Sequence, residues 1–410
     1  MHILLVTDSY PPEIRSASHL MLELAEELYR RGHRVTVATT WPRYNLNTAD
    51  KQYRYSEFMN EHGIEVLRFK TLRHHNVNYI YRGIAQLLMP FAFLRKFRKY
   101  HISLPDVVMV YSPPLPLALV GASLRKRGVK FVLNVQDIFP QNAIDLGALT
   151  NPLAIRLFHY IEKKVYRAAD IITTHSDGNR ILLQNQHPQL KNKFTTLHNW
   201  ADLSHFKKDI KKDFRKIYGI QNKFVAVFAG VVGPSQALDI LLDAAKQLTD
   251  YSELLILIVG DGAEKNRLQK KSKAMGLNNV MFQPFVSRDD YPDLLAASDV
   301  GIISLSPKNK TPVVPGKLLG YMAAGLPTIA LLNRESDGHY LITESKCGYS
   351  APSDNPNAIL TAFRKIYEHR ENLKTMGQSG QNYVSQNFSK EQCVNALEVM
   401  IAASEQLCTE

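Results

Sequence analysis

Residues 2–40 read HILLVTDSYPPEIRSASHLMLELAEELYRRGHRVTVATT. The apolar run HILLVTD stops at a polar turn. SASHLMLELAEELYRRGH then sets apolar residues at helical spacing and closes on Gly32, and VTVATT is a second β-branched run. A strand, a helix and a strand in that order make a βαβ unit, whose crossover lays the two strands parallel. The pattern returns in DVVMVYS (106–112), an apolar helix through PLALVGASLRKRG (116–128) and KFVLNVQD (130–137), and ADIITTHSD (169–177) adds another strand. A mostly parallel sheet with helices on both faces is predicted.

The rhythm starts again after HNWADLSHF (198–206) and a basic run at 207–216. KFVAVFAG (223–230) reads as a strand and ALDILLDAAKQL (237–248) as a helix. LLILIVGDG, NVMFQPF, DVGIISL and LPTIALL follow as further strands. The expected architecture is therefore α/β: two Rossmann-like doubly wound domains in tandem, 1–200 and 207–388, facing a central cleft where ligands of such sheets bind. The helix-patterned segment 389–410 is expected to return to the first domain.

A chain of 410 residues with 45% apolar residues suits two globular domains and excludes a disordered or fibrous protein. Cys347, Cys393 and Cys408 have no paired metal-ligand spacing and suit reduced thiols in the cytoplasm; no role is assigned to them. The first residues lack the pattern of an export signal, and no apolar run reaches the roughly 20 residues that span a bilayer. A cytoplasmic protein is expected.

The net charge of +12 is concentrated in residues 1–200, which hold 26 Lys and Arg against 15 Asp and Glu. Within them, residues 66–105 contain no acidic residue. Arg68, Lys70, Arg73, Arg82, Arg95, Lys96, Arg98 and Lys99 alternate there with Tyr79, Tyr81, Phe91, Phe93, Phe97 and Tyr100. Cations beside aromatics suit an anionic membrane surface, and Arg73, Arg82, Arg95, Lys96, Arg98 and Lys99 are the candidate membrane or acceptor contacts. A solvated face over core aromatics is the alternative. No nucleic-acid-binding motif accompanies the charge, and no nucleic-acid partner is expected.

The stretch TPVVPGKLLGYMAAGLP (311–327) places Lys317 in the first turn of an apolar helix. A helix N-terminus attracts anions, and a lysine there opposes the dipole unless a bound anion bridges the two. A phosphate or diphosphate fits; a lysine reaching out to water is the other reading. Two glycine loops follow strands of the same half, AGVVGPSQ with Gly230, Gly233 and Gln236, and VGDG with Gly260 and Gly262.

The ordered set YPPEIRSASHLMLELAEELYRRGHRVTVAT, NVQDIFP, HNWAD, FAGVVGPSQALDILLDA, LIVGDG, FQPFVSRDDYPDLLAASDVGIISL and VPGKLLGYMAAGLP resembles the retaining family-4 glycosyltransferases of the GT-B fold. It is most similar to their bacterial surface-polysaccharide branch, which includes fucosyl- and N-acetylfucosaminyl-type transferases. The resemblance implies a nucleotide sugar, UDP- or GDP-linked, held by the second domain. It also implies a polyprenyl-diphosphate-linked saccharide as acceptor at the first. It places Pro284, Phe285 and Val286 at the nucleobase, and Gly233, Gln236, Pro315, Gly316, Lys317, Leu318 and Leu319 at the diphosphate and sugar. Arg15 and Ser16 stand where the first-domain loop approaches the donor. Asp137 is the candidate for contacting the transferred sugar or acceptor hydroxyl, a turn cap being its alternative.

The sequence departs from the family at several points. Pro312 and Gly320 replace two glutamates, and a His-Asp pair reads Gln136-Asp137. No Asp-x-Asp triplet of the metal-diphosphate type occurs, so Lys317 and its helix are expected to stabilise the leaving group with no metal or cofactor. A catalytically silent nucleotide-sugar-binding partner and an epimerase of the same fold are the alternatives.

Overall fold

β1 (His2–Val6) is the pivot of the first sheet, pairing in parallel with β2 (Arg34–Thr40) on one side and β5 (Val107–Ser112) on the other. The remaining strands are β3 (Phe58–Glu61), β4 (Ile64–Phe69), β6 (Lys130–Val135), β7 (Ile171–Thr174) and β8 (Phe194–Thr196). Their order is β3-β4-β2-β1-β5-β6-β7-β8, parallel except for the β3–β4 hairpin. The computed structural model describes residues 1–46, 48–52, 54–206 and 209–406, and within them the chain divides into two units, Met1–Asn199 with Lys390–Glu410, and Trp200–Ser389. Lys207, Lys208 and Cys408 lie outside the described residues.

The inner strands are largely apolar because helices cover both faces of the sheet. The helix Ser16–Arg30 buries Met21, Leu24, Ala25 and Leu28, spaced as one face at helical periodicity requires, and the chain leaves it through Gly32 at φ +87. The helix Lys390–Gln406 returns to the first unit and packs on Ser16–Arg30, burying Val394, Leu397 and Ile401. Arg31 bridges Glu27 and Glu398 at 2.7 Å each, and Lys130 Nζ donates to the Ile401 carbonyl.

In the second unit the strands are β9 (Phe224–Ala229), β10 (Leu254–Val259), β11 (Val280–Gln283), β12 (Val300–Ser304), β13 (Thr328–Leu332) and β14 (Gly348–Pro352). The order β11-β10-β9-β12-β13-β14 is wholly parallel. In an open parallel sheet, ligands bind beyond the strand C-termini where the order reverses. That point lies between β1 and β5 in the first unit, and between β9 and β12 in the second.

Two features of the basic segment differ from the sequence expectation. Arg68 points inward from β4 and is 1% exposed; it donates to Glu61 and to the Pro11 carbonyl, so its charge belongs to the hairpin and not to a surface. Phe93 and Phe97 join Phe69 in edge-to-face pairs inside the core.

Candidate functional site

The second-unit site is built around the helix Gly316–Ala323, whose N-cap is Pro315. Proline lacks a side-chain acceptor, so no cap covers the first turn. The Leu318 N–H turns back to the Pro315 carbonyl at 2.9 Å, whereas the Gly316 and Lys317 N–H groups meet no acceptor among the described residues. The preceding loop is held from β13 onward: Asn333 Nδ2 donates to the Thr311 carbonyl at 3.1 Å and Ser336 Oγ to that of Val313. Leu318 and Leu319 face the core, anchoring the helix with about 1.5–3 kcal/mol each. They offer a ligand only backbone, which narrows the part the sequence reading gave them.

The Lys317 side chain crosses to the end of β9. Its Nζ donates to Gln236 Oε1 at 3.2 Å and stands 5.0 Å from the centroid of the Phe228 ring. Among the described residues no carboxylate lies within 4.0 Å of it, and burial pulls the amine down to about 8. A cation placed this way, beside uncapped N–H groups and the positive end of a helix, lacks only an anion.

Gly230, at φ +147, makes room for that lysine: a Cβ there would lie 2.5 Å from Lys317 Cε. Gly260 answers to a different demand. A Cβ on it would fall 1.8 Å from the Gly230 carbonyl oxygen, so the two loops pack backbone to backbone. Gly262 meets Val232 in the same way, while Gly233 has only Val231 nearby and Gly316 and Gly320 have nothing within 4 Å. Pro284 and Phe285 are exposed just beyond β11, and Val286 packs partly on the core. The strand ends and the helix thus bring Gly230, Gln236, Gly260, Pro284, Gly316 and Lys317 to one edge of this sheet.

At the equivalent edge of the first unit, Asp137 follows β6. The residue is exposed, and its carboxylate receives no hydrogen bond among the described residues, so it acts as no cap. Desolvation by the protein around the carboxyl raises it above its ordinary value, against the pull of Arg15 and Arg82. Gln136, beside it, is buried in an amide ladder with Asn134 at 2.8 Å and Asn199 at 2.7 and 2.9 Å, a structural use of that position. Ser16 starts its helix exposed, and Arg15 is engaged locally: Nη1 donates to Asp8 Oδ2 at 3.2 Å and lies 3.0 Å from His75 Nε2. Burial pushes Asp8 up, but Arg15 and the imidazoles of His74 and His75 outweigh it and hold the carboxyl well below its usual range.

The basic segment forms the helix Tyr79–Lys99, with Asn78 capping it at 2.8 Å from the Tyr81 N–H. Ile80, Ile84, Leu88 and Phe91 make an exposed apolar stripe that continues into Arg95, with Arg98 and Lys99 exposed beyond it. Arg73 is exposed in the preceding loop and Arg82 is half-buried. Lys96 is not free; it pairs with Glu57 at 2.6 Å. The sequence reading missed a second stripe on the helix Pro152–Ala168, where Leu153, Leu157 and Tyr160 are exposed beside Arg156, Lys163, Lys164 and Arg167. Both helices flank the one at Ala118–Arg125. The i, i+4, i+7 spacing was visible, but burial of the alternate face by Phe158, Ile161 and Val165 was not. It also passed over Asp8 and the doubled histidine His74-His75, which only the fold brings together.

Residues 17–200 match the family model "Glycosyl transferase 4-like domain" and residues 210–383 match "Glycosyl transferases group 1". The probable glycosyltransferase WbjE of Pseudomonas aeruginosa is 26% identical over 78% of this chain and 80% of its own. The putative colanic acid biosynthesis glycosyl transferase WcaI of Escherichia coli K12 is 24% identical over 79% and 82%. Among solved structures, HepE of Anabaena in complex with UDP superposes with a TM-score of 0.71 at 19% identity, covering 98% of this chain and 100% of that one, which is a likeness of fold.

Proposed function

Because the chain belongs to the glycosyltransferases built from two Rossmann-like domains, we propose that it moves a hexosyl unit from a UDP- or GDP-sugar to a polyprenyl-diphosphate-linked saccharide during surface polysaccharide assembly. The observation that carries the donor half is Lys317, a desolvated amine with no carboxylate partner among the described residues, at an uncapped helix start. As the bond to the diphosphate breaks, negative charge grows on the leaving oxygen. Fixed cations and aligned N–H groups stabilise that charge without reorganising, so no metal is needed at this step. Gly230 and Gln236 set the lysine's position, and Gly260, Gly262 and the 284–286 loop would line the nucleoside side.

Asp137 is assigned to the transferred sugar or the acceptor hydroxyl, since its carboxylate has no hydrogen-bond partner among the described residues at the ligand-bearing edge of its sheet. Retention of configuration follows the family-4 reading. The two basic and apolar stripes would hold the enzyme on the inner face of the plasma membrane, where each nearby Lys or Arg contributes about 1 kcal/mol to binding anionic lipid.

The deciding experiment incubates the protein with membranes and a panel of radiolabelled nucleotide sugars, alongside thermal-shift titration of each donor. Labelled lipid together with a donor-specific rise in Tm is expected. A rise without transfer would instead favour a silent donor-binding partner, the reading suggested by Pro312 and Gly320 at the positions of the family's glutamates.

A further inference from the structure

Asp8 follows β1 at the edge of the first sheet, and His74 and His75 lie in the loop between β4 and the helix Tyr79–Lys99. Their ligand atoms fall within 4.8 Å of one another. His74 Nε2 stands 3.3 Å and His75 Nε2 3.6 Å from Asp8 Oδ2. These contacts do not satisfy the groups: His74 Nε2 and Asp8 Oδ1 are buried with no hydrogen-bond partner among the described residues, on residues 6% and 3% exposed. Buried polar atoms left without partners are costly and rare, so the arrangement calls for a ligand.

The spacing identifies which kind. A tetrahedral Zn²⁺ with bonds of about 2.0–2.2 Å to nitrogen and oxygen sets its ligand atoms roughly 3.3–3.6 Å apart. The two separations to Asp8 Oδ2 match. His74 Nδ1 faces the Leu72 carbonyl at 3.5 Å, the type of partner that turns Nε2 toward a metal, and the Tyr44 ring stacks on His75 with centroids 4.6 Å apart, fixing its plane. We propose that Asp8, His74 and His75 bind one divalent transition-metal ion of the Zn²⁺ class, leaving a fourth position for an oxygen ligand. This site belongs to the first unit and is separate from the leaving-group stabilisation assigned to Lys317.

Arg15 competes with the metal and sets the terms of its binding. Its Nη1 contacts two of the three ligand atoms, Asp8 Oδ2 and His75 Nε2, so a positive charge already stands against the set. The side chain is 22% exposed, so its guanidinium stands between the ligand set and solvent. Metal binding is therefore an exchange of one cation for another at Asp8, and Arg15 lowers the apparent affinity.

The test titrates the full chain, stripped with chelator and dialysed, with Zn²⁺ by calorimetry, and records X-ray absorption of the 1:1 complex. One equivalent is expected, in an oxygen and nitrogen shell containing two imidazoles. Binding should weaken at least about 100-fold in the double variant His74→Ala/His75→Ala and tighten at least about 10-fold in Arg15→Ala. Absence of saturable binding, sulfur in the shell, or unchanged affinity in either variant would overturn the proposal. If circular dichroism shows the double variant unfolded, the wild-type absorption spectrum decides alone.

Discussion

Gly230 and Lys317 fit together because one of them has no side chain: a Cβ at 230 would lie 2.5 Å from Lys317 Cε and 3.0 Å from its Nζ. The glycine turn after β9 thus steers the lysine over Phe228 and onto Gln236. Position 230 controls a charge it does not carry.

Gly230→Ala should disturb that placement. Its φ of +147 strains any other residue by about 1–3 kcal/mol, and the methyl pushes the amine from its seat. Donor KM is expected to rise about 10-fold with a lowered Tm. Gly320→Ala is the contrast: it sits in a helix with open space around it, so stability should rise by up to about 1 kcal/mol in denaturant unfolding.

Replacing Lys317 by Met should separate function from stability. Turnover is expected to fall about 100-fold or more, the scale of losing one transition-state charge stabiliser. The ligand-free protein should melt about 2–4 °C higher, because a desolvated, carboxylate-free cation is removed. A lower Tm would mean that the amine contributes to folding.

Burial sets the pH behaviour of the same group. With its pKa lowered to about 8, Lys317 loses its proton in the free enzyme as pH rises through 8, so kcat/KM should fall above that pH. Bound diphosphate favours the cation, and the alkaline limb of kcat should lie at higher pH. Linkage has the opposite sign for stability. Because the unfolded amine binds protons more tightly, ligand-free stability should rise between pH 8 and the ordinary lysine range. Unfolding at fixed temperature across that range checks it.

Asp137→Asn should cost turnover about 100-fold without lowering Tm, since no hydrogen bond in the described residues depends on its carboxylate and desolvation disfavours its charge. Equal losses of kcat and fold would reassign it as a structural residue.

Membrane docking is tested by placing negative charge on the apolar positions of the two stripes. Ile84→Glu with Phe91→Glu, and separately Leu157→Glu with Tyr160→Glu, should each cut sedimentation with phosphatidylglycerol vesicles at least about 10-fold, all four positions being exposed. Binding that survives both pairs would place the lipid contact elsewhere.

The alternation of apolar strands and helices carried the doubly wound fold in the sequence, because burial on both faces leaves an uninterrupted apolar run that no turn chemistry disguises. The helix from Gly316 was legible for the same kind of reason: Pro315 before it and Gly325, at φ +67, after it are local signals. Strands β3, β4, β8 and β14 were missed: β3, β8 and β14 are short edge strands with polar residues among the apolar ones, and β4 is broken up by Glu65 and Arg68, the latter looking like a surface cation because periodicity says nothing of a buried partner such as Glu61.

By itself, then, the sequence determined the two sheets, their helices and the lysine at a helix mouth, since each rests on neighbours a few residues away. Tertiary structure alone decided that Lys317 crosses to Gln236 and Phe228, that Gly260 packs on Gly230, and that Asp8 meets a pair of histidines from the far side of β4. Those relationships join residues tens of positions apart, and the energies that select them, desolvation and close packing, exist only once the chain has folded.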